Sequence, residues 1–147
     1  MEGAITPLHI LRGLGMVGAT VIVQAVTQVC LRSLLDALPA SRRGRYLDHL
    51  GVMYVVLAVF VLMVGMVGEI CLWALLYYVW GELGGFTNSV YFSLASFTSV
   101  GASELALSPS HRMVGALESA VGLLMFGWST ALLFEVIQGL RGNRDRH

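Results

Sequence analysis

Two carboxylates stand in stretches that otherwise carry no charge. Glu69 interrupts an apolar run from Leu50 to Trp80, and Glu118 interrupts one from Met113 to Leu133. An acid in apolar surroundings of that length costs about 2–3 kcal/mol on membrane-insertion scales. Glu69 is either a gating or proton-sensing carboxylate, or a structural acid that is protonated or hydrogen-bonded through Ser93 or Ser96. The two acids fall at similar depth in their runs. If they meet, like charges cannot both ionise cheaply, and the pair should share a proton. The histidines His9, His49, His111 and His147 are scattered without metal-ligand spacing, so no metal site is expected. Cys30 and Cys71 sit in apolar runs and read as small buried hydrophobes. No nucleophile–base set or cofactor motif is present, so neither an enzyme nor a cofactor is expected.

The medium around these acids follows from composition. Of 147 residues, 56% are apolar and only 12% charged, with mean hydropathy +0.76. A soluble surface needs more charge, and the hydrophobicity excludes disorder. With net charge +0 there is no positive excess to release counterions, so nucleic acid is not an expected partner. A bilayer span needs about 20 apolar residues. Three stretches qualify: Gly13–Leu31, Leu50–Trp80 and Met113–Leu133. Between the last two lies Gly81–Arg112. It opens on Gly81, Gly84 and Gly85, continues through a modestly apolar Asn88–Thr98, and ends in a glycine-containing piece, Thr98–Glu104. It is too short and polar to span, and reads as a surface loop or a re-entrant pore loop.

Arginine placement sets the expected orientation. Arg32, Arg42, Arg43 and Arg45 lie around the first loop and Arg141, Arg144 and Arg146 in the tail, against Arg12 and Arg112 on the other side. The first loop and the tail are therefore expected in the cytoplasm and the amino terminus outside, with no signal peptide. Thr20, Gln24, Gln28, Arg32 and Asp36 form a polar ridge on the first span, a second hydrophilic path or a packing face with amides as glue. Arg32 and Asp36 are spaced to pair with each other. Trp73, Tyr77, Tyr78 and Trp80 read as an interfacial aromatic belt. No span carries arginine at every third position, so a voltage sensor is not supported.

The segment Tyr91-Phe92-Ser93-Leu94-Ala95-Ser96-Phe97-Thr98-Ser99-Val100-Gly101-Ala102-Ser103-Glu104 resembles the pore loop of potassium-channel-like tetrameric cation channels, whose pattern is a short helix ending in T-x-V-G-Y-G-D. Thr98, Ser99, Val100 and Gly101 match its first half. Glu104 matches the final acid conservatively, and Ala102 and Ser103 depart from Tyr and Gly. The resemblance covers about residues 50–138, and the first span lies outside it.

It implies an all-α membrane protein: three transmembrane helices, a re-entrant pore helix and a filter loop in a homotetrameric potassium-channel-like pore. The expected parts are an extra transmembrane helix (1–38), a cytoplasmic loop (39–48), a pore domain (49–138) and a cytoplasmic tail (139–147). Within the pore domain they are the outer helix 49–80, pore helix 87–98, filter 98–104 and inner helix 112–138. It further implies that carbonyls of Thr98, Ser99, Val100 and Gly101, with the Ser99 hydroxyl, replace the water shell of a monovalent cation, K⁺ or Na⁺. Ala102 and Ser103 should give a wider or differently folded outer half. Glu104 would form a carboxylate ring at the mouth, and Glu69, Glu118 and Ser96 would support the filter. Leu123, Phe126, Thr130 and Phe134 would line the cavity, with Gly122 or Gly127 as hinge and Phe126 or Phe134 as an apolar gate. The expected location is a bacterial inner membrane. The rival readings are a dimeric proton-coupled transporter using Glu69 and a non-conducting membrane scaffold.

Overall fold

The computed structural model describes residues 7–36, 49–101 and 104–141. Among them are four helices and no strand: α1 (Pro7–Asp36), α2 (His49–Trp80), α3 (Phe86–Phe97) and α4 (Arg112–Arg141). Leu11–Leu34, Gly51–Trp80 and Arg112–Leu140 are long and apolar enough to cross a bilayer. At 12 residues α3 is too short to do so. The chain is an all-α, multi-pass membrane protein.

Local chemistry explains where the elements stop. Gly81 adopts φ 69°, and its N–H reaches the Tyr78 carbonyl at 3.0 Å while the Glu82 N–H reaches that of Tyr77 at 3.4 Å. This is a Schellman end to α2, and it needs a residue without a Cβ penalty at positive φ. The chain then turns through Gly84 and Gly85 into α3. The Ser89 hydroxyl and N–H both donate to the Gly85 carbonyl, and the Asn88 amide donates to Leu83. These bonds fix the start of the short helix.

Packing places α3 against α2 and α4, and α1 on the other side of that pair; among the described residues the backbones of α1 and α3 do not approach each other. One core cluster surrounds α3 and includes Trp73, Tyr77, Phe92, Phe97, Leu107 and Val121. A second, at the opposite end of the bundle, joins Leu31, Ala58, Leu62, Leu132, Val136 and Leu140. Small residues bring α1 and α2 together, since a Cβ on Gly65 would stand 2.5 Å from the Thr27 Oγ1.

The polar ridge of α1 is a packing face. Trp73 Nε1 donates to Thr20 Oγ1 at 2.9 Å, Gln24 Nε2 donates to Ser129 Oγ at 3.0 Å, and Arg32 lies 3.6 Å from Glu135. Gly13 meets Leu117 near the other end of the same pair of helices. α1 therefore runs parallel to α4 at a nearly constant register. Two expectations need correction here. Trp73 and Tyr77 are fully buried and do not belong to an interfacial belt, because α1 and α3 cover that face of α2. Cys30 and Cys71 are exposed rather than buried, Cys30 where α1 and α2 leave a groove open between them.

Candidate functional site

The site begins at the carboxyl end of α3. Thr98 caps the helix in right-handed conformation, with its hydroxyl 2.7 Å from the Leu94 carbonyl. The chain then leaves the helix through Ser99 at φ 59° and Gly101 at φ 83°. The Ser99 N–H bonds the Ser96 carbonyl at 2.9 Å, and the Gly101 N–H bonds that of Ala95 at 3.0 Å. These two bonds tie the loop back to its own helix. A serine at positive φ costs of order 1–3 kcal/mol and persists only where the surroundings enforce it. Ser99, Val100 and Gly101 are exposed, Val100 at 81%. Ala102 and Ser103 lie outside the described residues, and Glu104 beyond them is exposed.

Three helices hold this loop from behind. Phe97 is fully buried, and its carbonyl occupies the place where Gly122 of α4 would carry a Cβ. The close crossing of α3 and α4 therefore requires glycine at 122, in a helix that runs unbroken through both Gly122 and Gly127. Gly127 faces open space. One level further from the loop, Glu118 is fully buried and accepts from two helices: the Tyr77 hydroxyl of α2 at 2.7 Å and the Ser93 hydroxyl of α3 at 2.5 Å. Ser93 Oγ also lies 2.9 Å from the Ile70 carbonyl, and the Tyr77 ring meets Phe92 edge-on at 5.3 Å. Glu118 is thus the joint of α2, α3 and α4.

Glu69 is elsewhere. It is fully buried, but neither carboxylate oxygen has a hydrogen-bond partner among the described residues. It does not pair with Glu118, whose oxygens are taken by Tyr77 and Ser93, and it bonds neither Ser93 nor Ser96. Tyr77 is two turns of α2 away, about 12 Å. The reason is helical rotation: Ile70 faces Ser93, and its neighbour Glu69 is turned by about 100°. Ser96 is buried, and its carbonyl, not its hydroxyl, bonds the loop.

At the end where α2 gives way to α3, a further cluster ties the loop after residue 104 to the end of α2. Glu82 Oε2 accepts from the Ser108 N–H at 2.7 Å, and Oε1 accepts from the Ser108 hydroxyl at 2.9 Å and lies 2.8 Å from His111 Nδ1. Trp80 stacks on the His111 ring at 4.2 Å. Sequence reading missed this strap. Its one local signal is the S-P-S-H run before α4, the kind of residues that stop chains and cap helices. Partial burial pushes the Glu82 carboxyl up, and the Ser108 N–H and hydroxyl together with His111 more than offset it, so it sits below its ordinary value. A carboxyl lowered in the folded state stabilises above its unfolded pKa, about 4.3. That stability is lost as pH falls through the lower folded value. Thermal unfolding in detergent should show Glu82→Gln less stable than wild type at pH 7, with the gap closing below about pH 4. A gap unchanged from pH 7 to pH 3 would contradict this.

On α4, the side chains at 123, 126, 130 and 134 follow one another down a single face that stays largely exposed among the described residues; Leu123 is 61% and Phe134 58% exposed. Phe126 stays within 6.1 Å of the Phe97 ring. The exposed loop 99–101 and this apolar face follow the same crossing of α3 over α4. A family model described as an ion channel matches residues 52–139, well over half of the chain. The chain belongs to the ion-channel family. No curated protein and no solved structure matches it. The matched part of this channel holds most of α2, all of α3, the loop and most of α4, and it leaves α1 outside. The resemblance to potassium-channel-like pores rests on that same span.

Proposed function

We propose that the channel is a homotetramer that conducts monovalent cations, K⁺ and also Na⁺, through a filter built by Thr98, Ser99, Val100, Gly101, Ala102 and Ser103. The observation that carries this reading is the loop at the end of α3. Its backbone is held in strained, alternating conformation by a buried scaffold, yet Ser99, Val100 and Gly101 are themselves exposed. Strain of this kind collects at ligand-binding backbone. A cation filter needs several converging carbonyls, and one chain supplies only one loop. Cyclic symmetry completes the ring. The uncovered apolar face of α4 supports the same assembly, because it would line the cavity below the filter.

In this reading the carboxyl end of α3 presents its partial negative charge to the cavity and favours a cation there. Glu104 concentrates cations at the mouth. Gly122 or Gly127 lets α4 bend, and Phe126 or Phe134 closes the cavity by dewetting. The protein lies in a bacterial plasma membrane with its amino terminus outside and its tail in the cytoplasm, as the arginines favour. Alanine and serine in place of tyrosine and glycine weaken the outer filter, which favours permeation by both ions.

Reversal potentials in reconstituted liposomes under opposed K⁺ and Na⁺ gradients test the reading. The expected result is a cation current whose reversal potential lies between zero and the K⁺ equilibrium value. Anion current, or a purified particle of two chains, would overturn it.

A further inference from the structure

Among the described residues, three buried side-chain oxygens have no hydrogen-bond partner: both of Glu69 and Oε1 of Gln24. Both side chains are fully buried within one chain, so no second copy reaches them. Helix register puts them in one layer. On α2, Gly65 packs on Thr27 and Trp73 bonds Thr20, so Glu69, midway between, is level with residues 23 and 24 of α1. Gln24 in turn bonds Ser129 of α4 through Nε2 at 3.0 Å. Buried acceptors that meet no donor are costly, and acceptors level with one another call for a hydrogen shared between them.

We propose that Glu69, Gln24 and Ser129 form an intramembrane proton-binding site, in which a proton held on the Glu69 carboxyl is donated to Gln24 Oε1. One hydrogen then completes a chain across three helices, from Glu69 of α2 through the Gln24 amide of α1 to the Ser129 hydroxyl of α4. A metal cation would need more oxygens than this layer offers. Loss of the proton leaves a carboxylate, and the Gln24 amide N–H is the donor its register offers to answer it. The amide must then turn over, and Ser129 changes from acceptor to donor. The protonation of α2 is thereby passed to α4 two residues from Gly127, through a helix outside the matched pore region. No charged side chain of α1, α3 or α4 shares the layer among the described residues. Along α4 the neighbouring acids are Glu118, held by Tyr77 and Ser93, and Glu135, paired with Arg32.

Infrared difference spectroscopy on the full chain in liposomes tests this without reference to conduction. The wild type should show a protonated-carboxyl C=O band that is lost in Glu69→Gln, shifted in Gln24→Leu and retained in Glu118→Gln. Glu69→Gln keeps a neutral donor in place, so it should assemble as wild type does. The proposal fails if the Glu69 signal is that of a carboxylate, or if the band ignores Gln24→Leu. It also fails if exchange of K⁺ for Na⁺ moves the band, which would mark a cation site, or if Glu69→Gln does not assemble.

Discussion

Gly122→Ala abolishes cation flux, or prevents recovery of folded protein, while Gly127→Ala preserves folding. The added methyl would run into the Phe97 carbonyl, and that carbonyl is backbone. A flexible side chain can swing away from such a clash, but the last residue of a packed helix cannot. Overpacking costs about 1–3 kcal/mol where neighbours yield, and more where they do not. Relief requires α3 to move off α4, which displaces the loop that begins one residue later at Thr98. At Gly127 the same methyl meets open space. Its cost is confined to any bending that α4 undergoes during gating. Liposome flux and size-exclusion profiles of the two variants, side by side, decide the matter. Near-wild-type flux in Gly122→Ala would mean that α3 and α4 do not cross this closely in the working channel.

The second large effect belongs to Glu118. Glu118→Ala removes the acceptor for two buried hydroxyls at once. Each buried hydroxyl left without a partner costs about 1–3 kcal/mol, and the vacated volume adds a cavity term. Ser93 retains the Ile70 carbonyl at 2.9 Å, so the heavier loss falls on Tyr77. Glu118→Gln behaves differently. Its carbonyl oxygen accepts from Tyr77 and its amide donates to Ser93, while Ser93 donates to Ile70, so each group keeps a partner. The alanine variant should therefore lose several degrees or more of melting temperature in detergent, together with flux, and the glutamine variant should stay close to wild type. Tyr77→Phe should fall between them. Equal damage from alanine and glutamine would show that charge, rather than the hydrogen-bonded joint, is what this position supplies.

Both effects concern how the loop is held, and this is where sequence and structure part. Composition and apolar run length were enough to find three spans, while the short helix between the last two came with the resemblance of the loop that follows it. Apolar length is a local property, and a bilayer imposes it on each segment separately. The loop motif was equally legible, because a positive φ at Gly101 and an exposed loop beside it need particular residues in order. The residues that hold the loop were less so. Gly122 reads as a hinge in sequence, and only the crossing of α3 shows that it makes room for a carbonyl. Tyr77 reads as part of a belt, and only the cover of α1 and α3 turns it into a partner for Glu118.

The sequence by itself determined that this chain lives in a membrane, which of its stretches are long and apolar enough to cross it, and where its loop lies. Tertiary structure alone decided the partners of its two buried acids. Glu69 and Glu118 look alike along the chain, each a single acid in an apolar run. One residue of helical rotation sends Glu69 toward α1 while its neighbour Ile70 faces α3, and Glu118 meets Tyr77 and Ser93 instead. Partners between helices are set by rotation and register, and these are fixed only when the helices pack.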